Sequence, residues 1–183
     1  MTEVIKGAFI SDCGKYRYTL SRVWDSTKPS LTFVMLNPST ADSAVDDPTI
    51  RRCIGYARRD GYGGITVVNL FAIRATDPEI LLDSSVDREG EYNVLWQDQL
   101  IRKALDAGTP IVCAWGSHKA AAGVGTLFAE KVERRGVKAV CLGYTKAGAP
   151  RHPLYVSKDQ PFVPYHSITT LRTAEAVLEP ASI

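Results

Sequence analysis

The sequence has no long apolar run, no paired cysteines and no strong excess of charge of either sign. Its 183 residues carry 22 Lys and Arg against 20 Asp and Glu, a formal net charge of +2. A charge this near balance neither demands a nucleic-acid partner nor excludes one. No segment is apolar for long enough to span a bilayer, and the amino-terminal stretch MTEVIKGAF has no secretory hydrophobic region. A partner in the membrane is therefore not expected, and a cytoplasmic location is. The four cysteines, Cys13, Cys53, Cys113 and Cys141, lie too far apart for the usual zinc or iron–sulfur spacings. Three of them sit in apolar periodic segments, where free cysteine behaves as a small hydrophobe, so reduced core thiols are expected.

Glycine-rich phosphate loops are also missing. Gly61, Gly63 and Gly64 precede a strand rather than a helix, which is the wrong context for a dinucleotide fingerprint, and there is no Walker pattern. No GxSxG elbow and no supported cysteine–histidine pair point to a covalent nucleophile. Asp42, Asp46 and Asp47 are explained by a solvated helix entrance, so no metal and no cofactor is expected.

What is present is a regular alternation of apolar strands and amphipathic helices. GAFISDCGKYRYTLSRVW reads as an edge hairpin, with Tyr16, Tyr18 and Leu20 on one side and Arg17, Thr19 and Ser21 on the other. Buried strands are expected over Leu31 to Leu36, Ile65 to Phe71, Pro110 to Trp115 and Val137 to Leu142. Asp47-Pro48 is a helix start with Asp47 as N-cap, and Ile50, Cys53, Ile54 and Ala57 form its apolar stripe up to a stop near Gly61. A second helix runs from about Gly90 to Ala107, with Val94, Ile101, Ala104 and Leu105 inward. A third begins at a Ser117 cap and buries Ala120, Ala121, Val124, Leu127, Phe128 and Val132, although Gly123 and Gly125 weaken it. The pattern predicts a three-layer α/β domain over residues 1–165, with a central, mainly parallel four-stranded sheet, flanking helices and an N-terminal hairpin. Residues 166–183 form a tail or a short helix around Leu171 to Leu178. A monomer is expected.

In open parallel α/β sheets, ligands bind beyond the carboxyl ends of the strands. Four polar segments lie there: NPST after the first buried strand, Asn69 and its followers after the second, WGSHK after the third and GYTKAGAPRHPLY after the fourth. Asn37 precedes a proline, which holds it out of helical dihedrals, and its amide can orient a water or read a base edge. By itself it reads first as an asparagine that satisfies its own turn. Asn69, within an apolar strand, needs a partner, because an unpaired buried amide costs on the order of 1–3 kcal/mol. His152, before Pro153, is placed to donate to a developing oxyanion. His118 and His166 read as incidental.

Together the segments LNPS (Leu36 to Ser39), Val68-Asn69-Leu70, IVCAWGSHKAA and His152-Pro153-Leu154 resemble the uracil-DNA glycosylase superfamily in order and spacing. Over the whole chain, YRYTLSRVW, MLNPSTAD, DPTIRRC, NLFAIRAT and PRHPLYV are similar to the marks of an uncharacterised prokaryotic and viral domain family. The first resemblance implies a uracil-DNA glycosylase-like fold and hydrolysis of the N-glycosidic bond of a uracil-like, modified or mismatched base in DNA, single-stranded DNA included. Residue by residue it implies Asn37 as the water holder and His152 as the stabiliser of the departing base. Asn69 then reads the base edge, with Phe71 or Tyr56 as the stacking aromatic. Ser39, Thr40, Arg51, Arg52, Arg74, Lys146 and Arg151 are the phosphate and DNA contacts. Two alternatives stay open: a nucleobase or nucleic-acid binding module without cleavage, and a hydrolase of free nucleosides or nucleotides.

Overall fold

A computed structural model describes residues 3–39 and 46–166. The chain begins with a hairpin, β1 (Ile5–Ile10) and β2 (Arg17–Val23), followed by β3 (Ser30–Met35), α1 (Pro48–Arg59) and β4 (Gly64–Asn69). After these come α2 (Asn93–Ala107), β5 (Ile111–Cys113), α3 (Val124–Arg134), β6 (Ala139–Cys141) and β7 (Val163–Pro164). The described residues form one α/β unit with a seven-stranded mixed sheet in the order β1-β2-β4-β3-β5-β6-β7.

The sheet is larger than the expected four strands. Its centre, β4-β3-β5-β6, is parallel throughout. The hairpin extends it on one side, with β2 antiparallel to β4, and β7 extends it on the other, antiparallel to β6. β7 is two residues long and contains Pro164, so it gives no periodic signal in the sequence.

Helices cover both faces, and each face has its own core. Leu31, Phe33 and Met35 of β3 pack with Ile65 and Val67 of β4 against Ile50, Cys53, Tyr56 and Ala57 of α1. Val34, Val68 and Cys113 point the other way, towards Leu100, Ile101 and Ala104 of α2 and Phe128, Ala129 and Val132 of α3. Burial on two faces explains why β3 and β4 read as continuous apolar runs. α1 starts where the sequence predicts: Asp47 is extended, and its carboxylate accepts the Ile50 N–H at 2.8 Å.

The other two helices differ from expectation. α2 turns Val94 and Leu105 to solvent and buries the polar Asn93 and Gln97 instead. The third helical segment is split: His118 caps a short 3-10 turn over Lys119–Ala121, and α3 begins only after Gly123, whose φ of 75° a side chain would strain. Leu127 lies exposed on its outer face. Gly125 is required by packing, since a Cβ there would stand 2.7 Å from the Trp115 ring. The short helix expected around Leu171 to Leu178 lies outside the described residues.

Cys53, Cys113 and Cys141 are buried free thiols, and Cys13 is exposed. No helix among the described residues is long and apolar enough to cross a membrane.

Candidate functional site

The carboxyl ends of the parallel strands open into a cleft of about 470 Å³. Asn37, Asn69 and His152 all line it, together with Ser39, Asp47, Trp115, His118 and Tyr155. Two loops and the end of β4 therefore deliver the three residues singled out in the sequence to one place.

The loop after β3 stays in register with the chain after β4. Leu70 and Phe71 donate their N–H groups to the carbonyls of Met35 and Leu36, and Ala75 donates to Pro38. Asn37 Nδ2 completes the seam by donating to the Ala75 carbonyl at 3.0 Å and the Pro38 carbonyl at 3.2 Å. Its amide group is therefore fixed, and no hydrogen bond among the described residues occupies Oδ1.

Asn69 is the last residue of β4 and only 3 % exposed. Its backbone carbonyl accepts from Gln97 Nε2 at 2.9 Å, and the next carbonyl, of Leu70, accepts from Asn93 Nδ2 at 2.9 Å. These two bonds are why α2 buries amides at its amino end: they satisfy carbonyls left over where the strand stops. The Asn69 side chain itself has no hydrogen bond among the described residues, and it lines the cleft. Its donor and acceptor are left open towards the cleft.

His152 arrives on the late loop. Gly116, at a φ of 76°, turns the chain after Trp115 and donates its N–H to the Pro150 carbonyl at 3.0 Å, which holds the late loop beside it. His152 Nδ1 accepts the Leu154 N–H at 3.3 Å, so the proton of the neutral ring sits on Nε2. Burial pushes the imidazole pKa below its usual value, against a smaller opposing pull from Asp47. His152 is thus a neutral donor at pH 7.

Arg17, Asp47, His118 and Tyr155 complete the cleft and stand outside the sequence expectation. Strict alternation puts Arg17 on the face of the hairpin opposite Tyr18 and Leu20. The pairing of Phe9 with Thr19 and of Ile10 with Arg17 leaves Tyr18 as an extra residue, a β-bulge. The bulge turns Arg17 onto the cleft side, and strict alternation cannot reveal such a reversal. Arg17 is 6 % exposed, and burial pushes its pKa down to about 10, with Asp47 opposing. Asp47, expected only as a helix cap, also faces the cleft. His118 accepts the Ala120 N–H on Nδ1 and places Nε2 3.2 Å from Glu79. Tyr155 is 74 % exposed, with its ring centroid 5.7 Å from that of His152.

The remaining expected residues fall into three groups. Ser39 lines the cleft, and its buried Oγ has no partner among the described residues. Thr40 lies outside the described residues. Phe71 and Tyr56 offer no stacking face to the cleft. Phe71 is fully buried in the α2–α3 core beneath Arg88, and Tyr56 is held in the α1 core with its hydroxyl donating to the Ser157 carbonyl at 2.9 Å. Their aromatic character is spent on packing.

Arg51 and Arg52 lie along α1 in a second hollow of about 340 Å³, shared with Arg59 and Lys158. Arg74 donates to the Gly14 carbonyl at 2.9 Å and ties the hairpin turn down. Arg151 and Lys146 are on the late loop and outside the cleft lining. No group of three or more His, Cys, Asp or Glu among the described residues is arranged to hold a metal ion.

No curated protein matches the chain. A family model described as a protein of unknown function, DUF1643, matches residues 17–154, which takes in the cleft from Arg17 to His152. The chain belongs to that family.

Proposed function

We propose that the cleft takes a nucleobase and that the protein hydrolyses the N-glycosidic bond of that base in DNA, on a uracil-DNA glycosylase-like fold. The observation that carries this reading is Asn69, a 3 % exposed residue whose side chain has no hydrogen bond among the described residues, in one cleft with Asn37 and His152. An amide offers a donor and an acceptor side by side, the pattern that matches the edge of a base. A base can reach the cleft only when it is out of the stack. Tyr155, exposed beside His152, is the aromatic face on which it would rest.

In this reading, Asn37 Oδ1 accepts a hydrogen bond from the attacking water, which approaches the sugar C1′. The C1′–N bond breaks, and its electron pair leaves with the base. The His152 Nε2–H donates to the oxygen on which that charge collects. The proton lost by the water goes to Asp47, a stronger base than an amide and a neighbour in the same cleft. The basic hollow of Arg51, Arg52, Arg59 and Lys158 on α1, whose first turn borders the cleft, supports a path for the DNA backbone.

A binding module without cleavage is the second reading. It is favoured by the bond from Asn37 Nδ2 to Ala75, which gives that asparagine a purely structural task. An excision assay on oligonucleotides with uracil and a panel of modified bases separates the two. Abasic product that disappears in Asp47→Asn and His152→Ala is expected. Tight binding with no abasic product from any base would leave only the module.

A further inference from the structure

The cleft contains a cation that the nucleobase reading does not use. β2 buries two arginines, and they differ sharply. Arg22, fully buried, places Nε 2.7 Å from Asp46 and donates from an Nη to the Ser21 carbonyl at 2.8 Å. Arg17, 94 % buried by the complement of its 6 % exposure, has no hydrogen bond and no ion pair on its guanidinium among the described residues, and its Nε is sealed from solvent. Asp47 exerts the strongest charge effect on it but forms no ion pair with it among the described residues, and Asp47 Oδ1 is occupied by the Ile50 N–H.

A structural arginine at this depth is paired, as Arg22 is, because a buried unpaired charge is costly. Ser39 repeats the anomaly in the same cleft, with a buried hydroxyl that has no partner among the described residues. A guanidinium and a hydroxyl left unsatisfied together form a donor set for an oxyanion. A neutral base edge would satisfy the hydrogen bonds of Arg17 but would leave its charge uncompensated.

We propose that Arg17 and Ser39 form an oxyanion subsite of the cleft, which engages a negatively charged oxygen group of the ligand. The group is either a phosphate next to the nucleoside or a carboxylate on the base. This inference rests on the nucleobase reading for the identity of the rest of the ligand, but not for the subsite itself.

The test combines thermal unfolding and calorimetric titration of the full chain with inorganic phosphate, acetate, and the four deoxynucleosides with their 3′- and 5′-monophosphates. Arg17→Gln, Arg17→Lys and Ser39→Ala are run beside the wild type. We expect phosphate or acetate to raise the melting temperature of the wild type and of Arg17→Lys, and to leave Arg17→Gln unmoved. Where phosphate is the effective ion, a nucleotide binds about tenfold or more tightly than its nucleoside, and Arg17→Gln removes the difference. Where acetate alone is effective, the oxyanion is a carboxylate of the base and the subsite stands.

Equal weakening of nucleoside and nucleotide by Arg17→Gln would overturn the proposal and make Arg17 a reader of the neutral base. So would an absence of any anion effect in the wild type. Anion binding at Arg17 with no affinity for any nucleoside would sink the nucleobase reading and keep the subsite. Nucleoside binding without an anion effect would do the reverse.

Discussion

Asn37 and Asn69 have the same side chain, and the cleft uses them in opposite ways. Asn37 holds two loops together through Nδ2, so Asn37→Ala should cost about 1–2 kcal/mol of stability in denaturant unfolding, on the scale of a lost part-buried hydrogen bond. Asn69 makes no side-chain bond within the described protein, so Asn69→Leu should hold stability to within about 1 kcal/mol while ligand binding disappears. A large loss of stability in Asn69→Leu would mean that the amide serves the fold instead. Arg17 extends the contrast: removing a buried unpaired charge with Arg17→Met should stabilise the free protein by about 1–3 kcal/mol, measurable by the same unfolding experiment.

His152 adds a pH dependence with a definite sign. Its folded pKa lies below that of the unfolded chain, so between the two values the unfolded state binds the additional proton. Stability therefore stays level above the ordinary histidine pKa and declines as pH falls below it towards the folded value. The donor on Nε2 survives protonation, but Nδ1 then loses its bond from the Leu154 N–H, and the loop loosens. On the proposed reading, excision against pH should hold its plateau down through the ordinary histidine range and fall below it. In His152→Gln the part of that acid limb that follows the imidazole should vanish.

At the level of elements, the joint between α2 and the end of β4 is the part that holds Asn69 in place. Gln97→Leu and Asn93→Leu leave buried carbonyls of Asn69 and Leu70 without these donors, and each should cost about 1–3 kcal/mol and reduce ligand affinity at the same time. This joint also shows what a sequence can and cannot tell. Strands β3 and β4 were legible because they are apolar on both faces, and α1 because Asp47-Pro48 is an unmistakable start. The inward face of α2 was not, since an apolar stripe was sought where two amides do the inward work. In the same way Leu127 looks like core by spacing and lies at the surface, while Val124, Phe128 and Val132 of the same expected stripe turn inward. Asn37, Asn69 and His152 could be placed at strand ends from the sequence alone. Arg17 could not, because a single extra residue at Tyr18 reverses its face and leaves no trace in the spacing.

Over the whole molecule, a parallel four-stranded centre brings two loops and the end of β4 to one cleft, and antiparallel additions at both sides extend the sheet. The hairpin is more than an edge, since β2 carries Arg17 into the cleft wall. The aromatics expected to stack on a base, Phe71 or Tyr56, are spent on the two cores, and the proposed reading gives that task to Tyr155, exposed at the rim. Tyr155→Ala should therefore weaken oligonucleotide binding by about 1–3 kcal/mol without changing the melting temperature, as is usual for the loss of a base–aromatic stack.

The most direct test of the central claim is an NMR titration of the Asn69 side-chain amide. Free uracil, hypoxanthine and xanthine are added in turn to nitrogen-15-labelled protein, with Asn69→Leu identifying the resonances. A base that reads this amide shifts its two Nδ2 protons saturably and leaves those of the core amide Asn93 in place. Resonances of Asn69 that stay fixed while a base binds elsewhere on the protein would contradict the account.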